Sequence, residues 1–398
     1  MLSYDEALQE LLNFSPVLNT QIRPLTQALN YQLAQDIVAV LDHPPLPQSA
    51  MDGYAIGAPS EVNQLSYEVV GESFAGGTLP RALMKGQALK VATGAPVPPN
   101  SFAVVPKEDA QASHHTLLLK SLPDAGRWIR PQGMDVSAGT PLLDSGSRLT
   151  PGRLANLAQQ GVEAVEVFSP PRVAVVTSGD EVVSPGSQKL QHQIYNSNQT
   201  LVSTLLRQNN VKLGDCIHLG DNQSETVAML SRLAENHDLI ITTGGASVGD
   251  RDFLIDALKT NGTLQFWKVK MRPGKPVFAG EIEGTRVLGL PGNPVSSFAS
   301  FHLFARPLLE HLSGSRTPVL RWSWMPWPDS ITPHPTRRDF LRAHWEPTST
   351  PNLPGYVLTA GQTSGHGRDL ISTDLLVEIP SREELPQAPG NYVRVFFL

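Results

Sequence analysis

Acidic and basic side chains recur directly after each of four short apolar runs in the middle of the chain. Asp180 and Glu181 follow RVAVVT, Asp221 follows CIHL, Asp250 and Asp252 follow DLIITT, and Lys268, Lys270, Arg272 and Lys275 follow LQFW. Gly179, Gly220, Gly244, Gly245, Gly249 and Gly274 stand in the same turns. Carboxylates supply the oxygen ligands that Mg²⁺ takes while it bridges to phosphate. Lysine and arginine neutralise an anion, arginine gripping two oxygens at once. Glycine lets backbone N–H groups come close to it. This pattern predicts a site for a phosphorylated or oxyanionic ligand together with a hard cation. A plainer reading leaves these as solvated loop residues, with Asp250 or Asp252 only capping the next helix. Four successive loops of the same content weigh against it.

The elements that must position these residues read as a repeated βα alternation between Arg172 and Gly314. RVAVVT, KLGDCIHL, DLIITT and LQFWKV are strand-like, and NQTLVSTLLRQ, SETVAMLSRLAEN and DFLIDALKT are helix-like. That order predicts a mostly parallel sheet with helices packed on it, and ligands of open α/β sheets bind at the carboxyl edge, where the charged tails lie. PVFAGEI and TRVLGL add two short strands before a long helix from Pro294 to about Leu312, with Asn293 as its N-cap. Upstream, Ser3 and Glu6 form a capping box ahead of a helix over residues 3–13, and Thr150, Pro151 and Gly161 bound another. Between Pro44 and Gly126 short alternating runs separated by Pro and Gly read as a small β domain, bounded near Pro44 and Arg130. After Gly314 a Pro- and Trp-rich stretch, VLRWSWMPWPDS, leads into further short strands and a final small β domain.

The chain has 398 residues, enough for two to three domains, and 66 of them are Gly or Pro, which fits a protein rich in turns. No apolar run is long enough to span a membrane, and the acidic start, with Asp5, Glu6 and Glu10, does not read as a targeting peptide, so a cytoplasmic location is expected. Net charge of −6 argues against a broad nucleic-acid-binding face, and Cys216, the only cysteine, excludes an internal disulfide and a Cys-based zinc site. GGASVGD lacks the Gly-Lys-Ser/Thr ending of a P-loop; GxGxxG, GxSxG and HExxH are absent. His114–His115 reads as an exposed strand edge rather than a metal pair. Asp52–Gly53 in SAMDGYA and the TGAPVP segment are each also consistent with a plain turn.

Eight ordered segments carry a family resemblance: HPPLPQSAMDGYAI, VATGAPVPPNSFAVVPKED, RPQGMDVSAGTPLL, PRVAVVTSGDEVVSPG, IYNSNQTLV, IITTGGASVGDRDF, FWKVKMRPGKPVFAG and LGLPGNPVSSF. Together they resemble the molybdopterin molybdenumtransferase (MoeA) family, which includes the E domain of gephyrin, strongly over residues 1–312 and weakly beyond. The resemblance implies a multi-domain α/β and β fold. A central, mostly parallel α/β molybdopterin-binding domain (171–314) has helices on both faces. It is joined by a small β domain carrying SAMDGYA (44–130), a C-terminal β domain (315–398) and a discontinuous helical linking and dimerisation domain (1–43 and 131–170), in an elongated homodimer. The implied reaction takes molybdate and adenylylated molybdopterin as substrates and releases AMP in a Mg²⁺-dependent step. Transient contact with the adenylyltransferase that supplies the pterin and with acceptor enzymes is also implied.

By position in the matching motifs, Asp52 and Thr93 fall on the wall facing the partner subunit, and Glu181, Asp221 and Asp252 are the acidic site residues expected to hold Mg²⁺. Lys268, Arg272 and Lys275 are expected to attract molybdate and phosphate. Gly244, Gly245, Ser247, Asp250 and the turn Pro291, Gly292, Asn293 and Pro294 are expected to receive the pterin phosphate end. Arg338, Arg342 and Ser364 complete the expected substrate contacts. Two departures stand out. Arg272 replaces a lysine of some members, and Asp369 occupies a place usually held by serine, where a negative charge needs Arg368, Arg338 or Arg342 to neutralise it. Two other readings follow: a dimeric molybdopterin-binding scaffold or carrier without AMP release, and a molybdopterin adenylyltransferase, which would consume ATP.

Overall fold

In the computed structural model, residues 1–245, 253–318, 320–328, 331–346, 355–385 and 391–398 are described. The chain divides into two compact units, one made of Met1–Gln35, Ser145–Leu154 and Glu163–Leu398, the other of Asp36–Asp144 and Ala155–Val162. Among the described residues no helix is long and apolar enough to cross a membrane.

The larger unit is built on a six-stranded sheet in the order Lys212–Leu219, Arg172–Ser178, Leu239–Thr243, Thr285–Leu290, Phe278–Ile282, Gly262–Trp267. The first four are parallel neighbours. The last two are joined by antiparallel pairings. Gly262–Trp267 therefore joins no parallel pair, yet two reversals return it to the common direction, and its basic tail leaves from the same carboxyl edge. Side chains alternate between the two faces, as strand geometry requires. Val173, Val175, Ile241 and Leu288 pack with Val202, Leu206, Phe298 and Phe301 on one side. Ala174, Val176, Ile240 and Val287 pack with Leu230, Leu233, Leu254 and Leu258 on the other. Each buried Leu or Phe contributes about 1.5–3 kcal/mol, so these layers fix the sheet edge to which the site residues are attached. The helix after Arg172–Ser178 lies on one face and the helix after Leu239–Thr243 on the other, so a crevice opens between the ends of these adjacent strands.

The N-terminal helix, Tyr4–Asn13, has its capping box in place: Glu6 N–H donates to Ser3 Oγ, and Ser3 N–H donates to Glu6 Oε2 at 2.8 Å. The expected long helix after Asn293 runs from Pro294 to Leu312 but contains a π-helical segment, Phe301–Ala305. Pro307 has no N–H to continue the ladder, and the Arg306 N–H reaches back to Phe301 O. His302 sits in that segment, buried beside Phe298 and Phe301, and neither ring nitrogen has a partner among the described residues. Burial, reinforced by the Arg306 charge, pushes its pKa down to about 3. The unfolded chain binds that proton near 6.5, so stability is complete above pH 6.5 and declines as pH falls toward 3. We expect this histidine to cost about 1.4 kcal/mol for each pH unit in that window. Urea unfolding above and one unit below pH 6.5 checks it, and His302→Leu should flatten the slope.

A second sheet closes the same unit, in the order Met271–Arg272, Arg338–Trp345, Leu375–Ile379, Tyr392–Phe397, Trp322–Pro326, with Tyr356–Leu358 also paired to Arg338–Trp345. The Trp-rich stretch thus supplies an edge strand, and the basic tail of the first sheet supplies Met271–Arg272, paired with Arg338 and Asp339. Arg338 is clasped by carboxylates from three directions: Nη1 donates to Glu378 Oε1, Nη2 to Asp5 Oδ2 and Glu384 Oε1, each at 2.7 Å, and Nε to Glu384 Oε2 at 3.3 Å. Arg394 also donates to both oxygens of Glu378. This network ties the N-terminal helix to the C-terminal sheet.

The smaller unit holds a six-stranded mixed sheet in the order Ser101–Pro106, Gly53–Gly57, Gln87–Val91, Ser66–Ser73, Thr116–Leu119, Ala110–Ser113. Its core includes Ile56, Tyr67, Ala88, Val105 and Leu117. His114 and His115 are exposed and occupy the hairpin turn between the last two strands, not a strand edge.

Candidate functional site

A cavity of about 500 Å³ opens in the crevice at the carboxyl edge of the parallel strands. Thr177, Ser178 and Gly179 line it from the end of one strand, Thr243, Gly244 and Gly245 from its neighbour, and Pro291, Gly292, Asn293 and Pro294 from the next. Glu181, Asp221, Asn196, Asn198 and Pro276 are also among the lining residues. Gly244 has a φ of +92°, and a Cβ there would meet Ser178 O and Oγ at 2.9 Å, so only glycine allows this turn.

Two helices begin at this wall. Asn196 Oδ1 accepts the Gln199 N–H and caps Ser197–Arg207; Asn293 Oδ1 accepts the Val295 and Ser296 N–H groups and caps the helix that starts at Pro294. Helix N-termini favour anions through free N–H groups and the helix dipole. The cavity thus combines two helix N-termini, each with partial positive charge, with the carboxylates of Glu181 and Asp221. The Asp221 N–H donates to Asp180 Oδ1 at 3.0 Å, which orders the loop carrying Asp221.

The other expected residues are distributed as follows. Ser247, Asp250 and Asp252 lie outside the described residues. Lys268 holds its Nζ 3.7 Å above the Trp267 ring centroid, with a backbone φ of +69°. Arg272 Nη2 pairs with Asp339 Oδ2 at 3.2 Å, and Lys275 is exposed beside the cavity residue Pro276. Arg338 belongs to the carboxylate network above. Arg342 is completely buried, and Ser364 is exposed on the segment that covers it.

Asp52 and Thr93 belong to the smaller unit, where they form a pair: the Thr93 N–H and Oγ1–H both donate to Asp52 Oδ1, at 2.7 and 2.8 Å. The Thr93 backbone bond, then its hydroxyl, holds the Asp52 carboxyl below the usual carboxylate range, with a smaller pull from Lys107. Asp52 lies in the bend before Gly53–Gly57, as the plain-turn reading expects, and its carboxylate in addition holds Thr93.

Asn196 and Asn198 were not among the sequence-based candidates. Asn196 Nδ2 donates to Thr177 Oγ1 at 2.8 Å and Asn198 Nδ2 to Gly292 O at 2.7 Å, so both amides brace the cavity wall. The available signal was Asn-Ser-Asn directly before an apolar helical run, a capping pattern. Among the described residues no three His, Cys, Asp or Glu side chains gather as a metal ligand set. Two carboxylates beside a cavity large enough for a phosphorylated ligand nevertheless suit Mg²⁺, which binds through one or two carboxylates plus substrate phosphates and keeps its waters.

Residues 174–311, which contain every residue lining the cavity, match the family model described as "Probable molybdopterin binding domain", and residues 2–161 match "MoeA N-terminal region (domain I and II)". The molybdopterin molybdenumtransferase 2 of Mycobacterium tuberculosis is 33% identical over 387 residues, covering 94% of each chain. The chain belongs to the molybdopterin molybdenumtransferase family. Within it, the Haemophilus influenzae molybdopterin molybdenumtransferase is 34% identical over 318 residues, 79% of each chain. The molybdopterin biosynthesis protein MoeA of Pyrococcus horikoshii superposes over the full length of both chains with a TM-score of 0.82 at 25% identity. Family membership accounts for the multi-domain α/β and β architecture. It also favours a transferase over a scaffold or an adenylyltransferase, since the likeness runs through the β segments as well as the α/β module.

Proposed function

We propose that this protein transfers molybdenum from molybdate to adenylylated molybdopterin, with Mg²⁺-dependent release of AMP. The observation that carries this reading is the cavity at the carboxyl edge, where Glu181 and Asp221 face two helix N-termini in a chain of this family. The helix ends at Ser197 and Pro294 and the Gly244–Gly245 turn receive the phosphate groups. Glu181 and Asp221, with Asp252, would hold Mg²⁺, which when bound neutralises charge on the phosphoanhydride. Asp339 aims Arg272, and with Lys268 and Lys275 it draws molybdate toward the site. The pterin phosphate end meets Pro291–Pro294, and Ser247 and Asp250 are proposed as further substrate contacts.

In this reading the working form is a cytoplasmic homodimer, dimerised through the linking segments 1–43 and 131–170, in which Asp52 and Thr93 of the partner subunit complete each site. The test is AMP release from the purified protein given adenylylated molybdopterin, with molybdenum on the pterin measured in parallel. Release and metal transfer that require both Mg²⁺ and molybdate are expected. Tight binding without release overturns the transferase in favour of a carrier.

A further inference from the structure

Arg342 presents an unusual balance. It is completely buried on the Arg338–Trp345 strand, and its Nη2 donates to the carbonyls of Gly361 and Thr363, yet Nε and Nη1 have no partner among the described residues. Buried guanidinium donors without acceptors are costly, which suits a site whose acceptor arrives with a ligand. The segment covering Arg342 is pinned at its base. Gln362 Oε1 accepts the Arg342 N–H at 2.9 Å, and Gln362 Nε2 donates to Arg342 O at 2.8 Å. Its tip, Thr363–Arg368, is exposed. Asp369 then folds back: its Oδ2 accepts the Gly361 N–H at 2.8 Å. A Cβ on Gly361 would come within 2.1 Å of His366 Nδ1 and 2.6 Å of Asp369 Oδ2, so the turn closes directly on the carboxylate. Burial lowers the Arg342 pKa, and Asp369 acts in the opposite direction. Beyond Asp369, Leu370 packs into the core that holds Phe298, on the helix starting at the cavity.

We propose that Gly361–Asp369 is a latch over Arg342, held shut by Asp369, and that a tetrahedral oxyanion reaches the unmatched Nε and Nη1 donors by displacing it. The inference rests on the family-based expectation that Arg342 and Ser364 are substrate contacts, and it assigns them to molybdate. Asp369 is a positioning residue: it touches Gly361 rather than the ligand, and its charge competes with the ligand for Arg342. The aspartate-for-serine departure is then a change in set-point, not a lost site.

Equilibrium molybdate binding to the full-length protein tests this with four variants. Asp369→Asn keeps an acceptor for the Gly361 N–H but removes the charge, and should tighten molybdate by roughly fivefold, the scale of one charge acting through partly hydrated protein. Asp369→Ala removes both and should tighten it further, with affinity for adenylylated molybdopterin unchanged. Unchanged or weaker molybdate binding in both Asp369 variants overturns the latch. Arg342→Gln and the exposed Ser364→Ala address the underlying reading: both should weaken molybdate, and unchanged binding in the two of them overturns the oxyanion site itself.

Discussion

Asp221→Asn is expected to lower Mg²⁺-dependent AMP release by about 10²–10³-fold, the loss usual when one preorganised electrostatic contact to a reacting centre is removed. The two side chains have nearly the same size, and the Asp221 backbone N–H that bonds to Asp180 Oδ1 is retained, so the loop after Lys212–Leu219 keeps its course. What disappears is one of the two described carboxylates at the cavity, Glu181 being the other. Mg²⁺ depends on such hard anionic oxygens more than on amide oxygens. The midpoint of a Mg²⁺ titration should therefore rise together with the loss of rate, while adenylylated molybdopterin still binds. Single-turnover AMP release across a Mg²⁺ series is the measurement. A rate within threefold of the parent at saturating Mg²⁺ removes Asp221 from the metal role.

Arg338→Met is expected to produce the largest loss of stability, about 3–5 kcal/mol, the range found when one member of a buried ion pair is removed and its partners are left uncompensated. Glu378, 4% exposed at the side chain, would keep only Arg394, and Asp5 and Glu384 would lose their closest cation. Glu384 gives the effect a pH signature. Burial alone would raise its pKa, but hydrogen bonds from Arg338 and Ser381 outweigh that and lower it. A lowered carboxyl pKa contributes stability above the unfolded value and loses it as pH falls through the folded one. The variant should therefore unfold at lower urea near neutral pH, with a shallower acid dependence than the parent. A urea midpoint unchanged by the substitution contradicts the network's role.

Most of the local structure was legible in the residues. Short apolar runs marked the central strands and alternating runs those of the smaller β domain, and Ser3, Asn293 and Pro294 marked helix starts because capping is satisfied within a few residues. The carboxyl-edge cavity could be anticipated because a parallel βα order forces the strand tails to one side. The strand Trp322–Pro326 was hidden by Pro326 and the nearby Pro328 and by its place at an exposed edge, where alternation is weak. The π-helical segment likewise depends on how Pro307 breaks a ladder that the apolar pattern continues.

What the sequence by itself determined was the element order, the edge at which chemistry gathers and, through its motifs, the family. Tertiary structure decided which partner each cation takes. Arg338 and Arg342 lie four residues apart on one strand, yet one is held by Asp5, 333 positions away, and the other lies beneath Gly361 and Thr363. Asn198, whose sequence signal is only that of a helix start, braces Gly292 from 94 positions away. Periodicity and caps are short-range and survive in the order of residues, whereas desolvation and ion pairing depend on what the folded chain brings alongside.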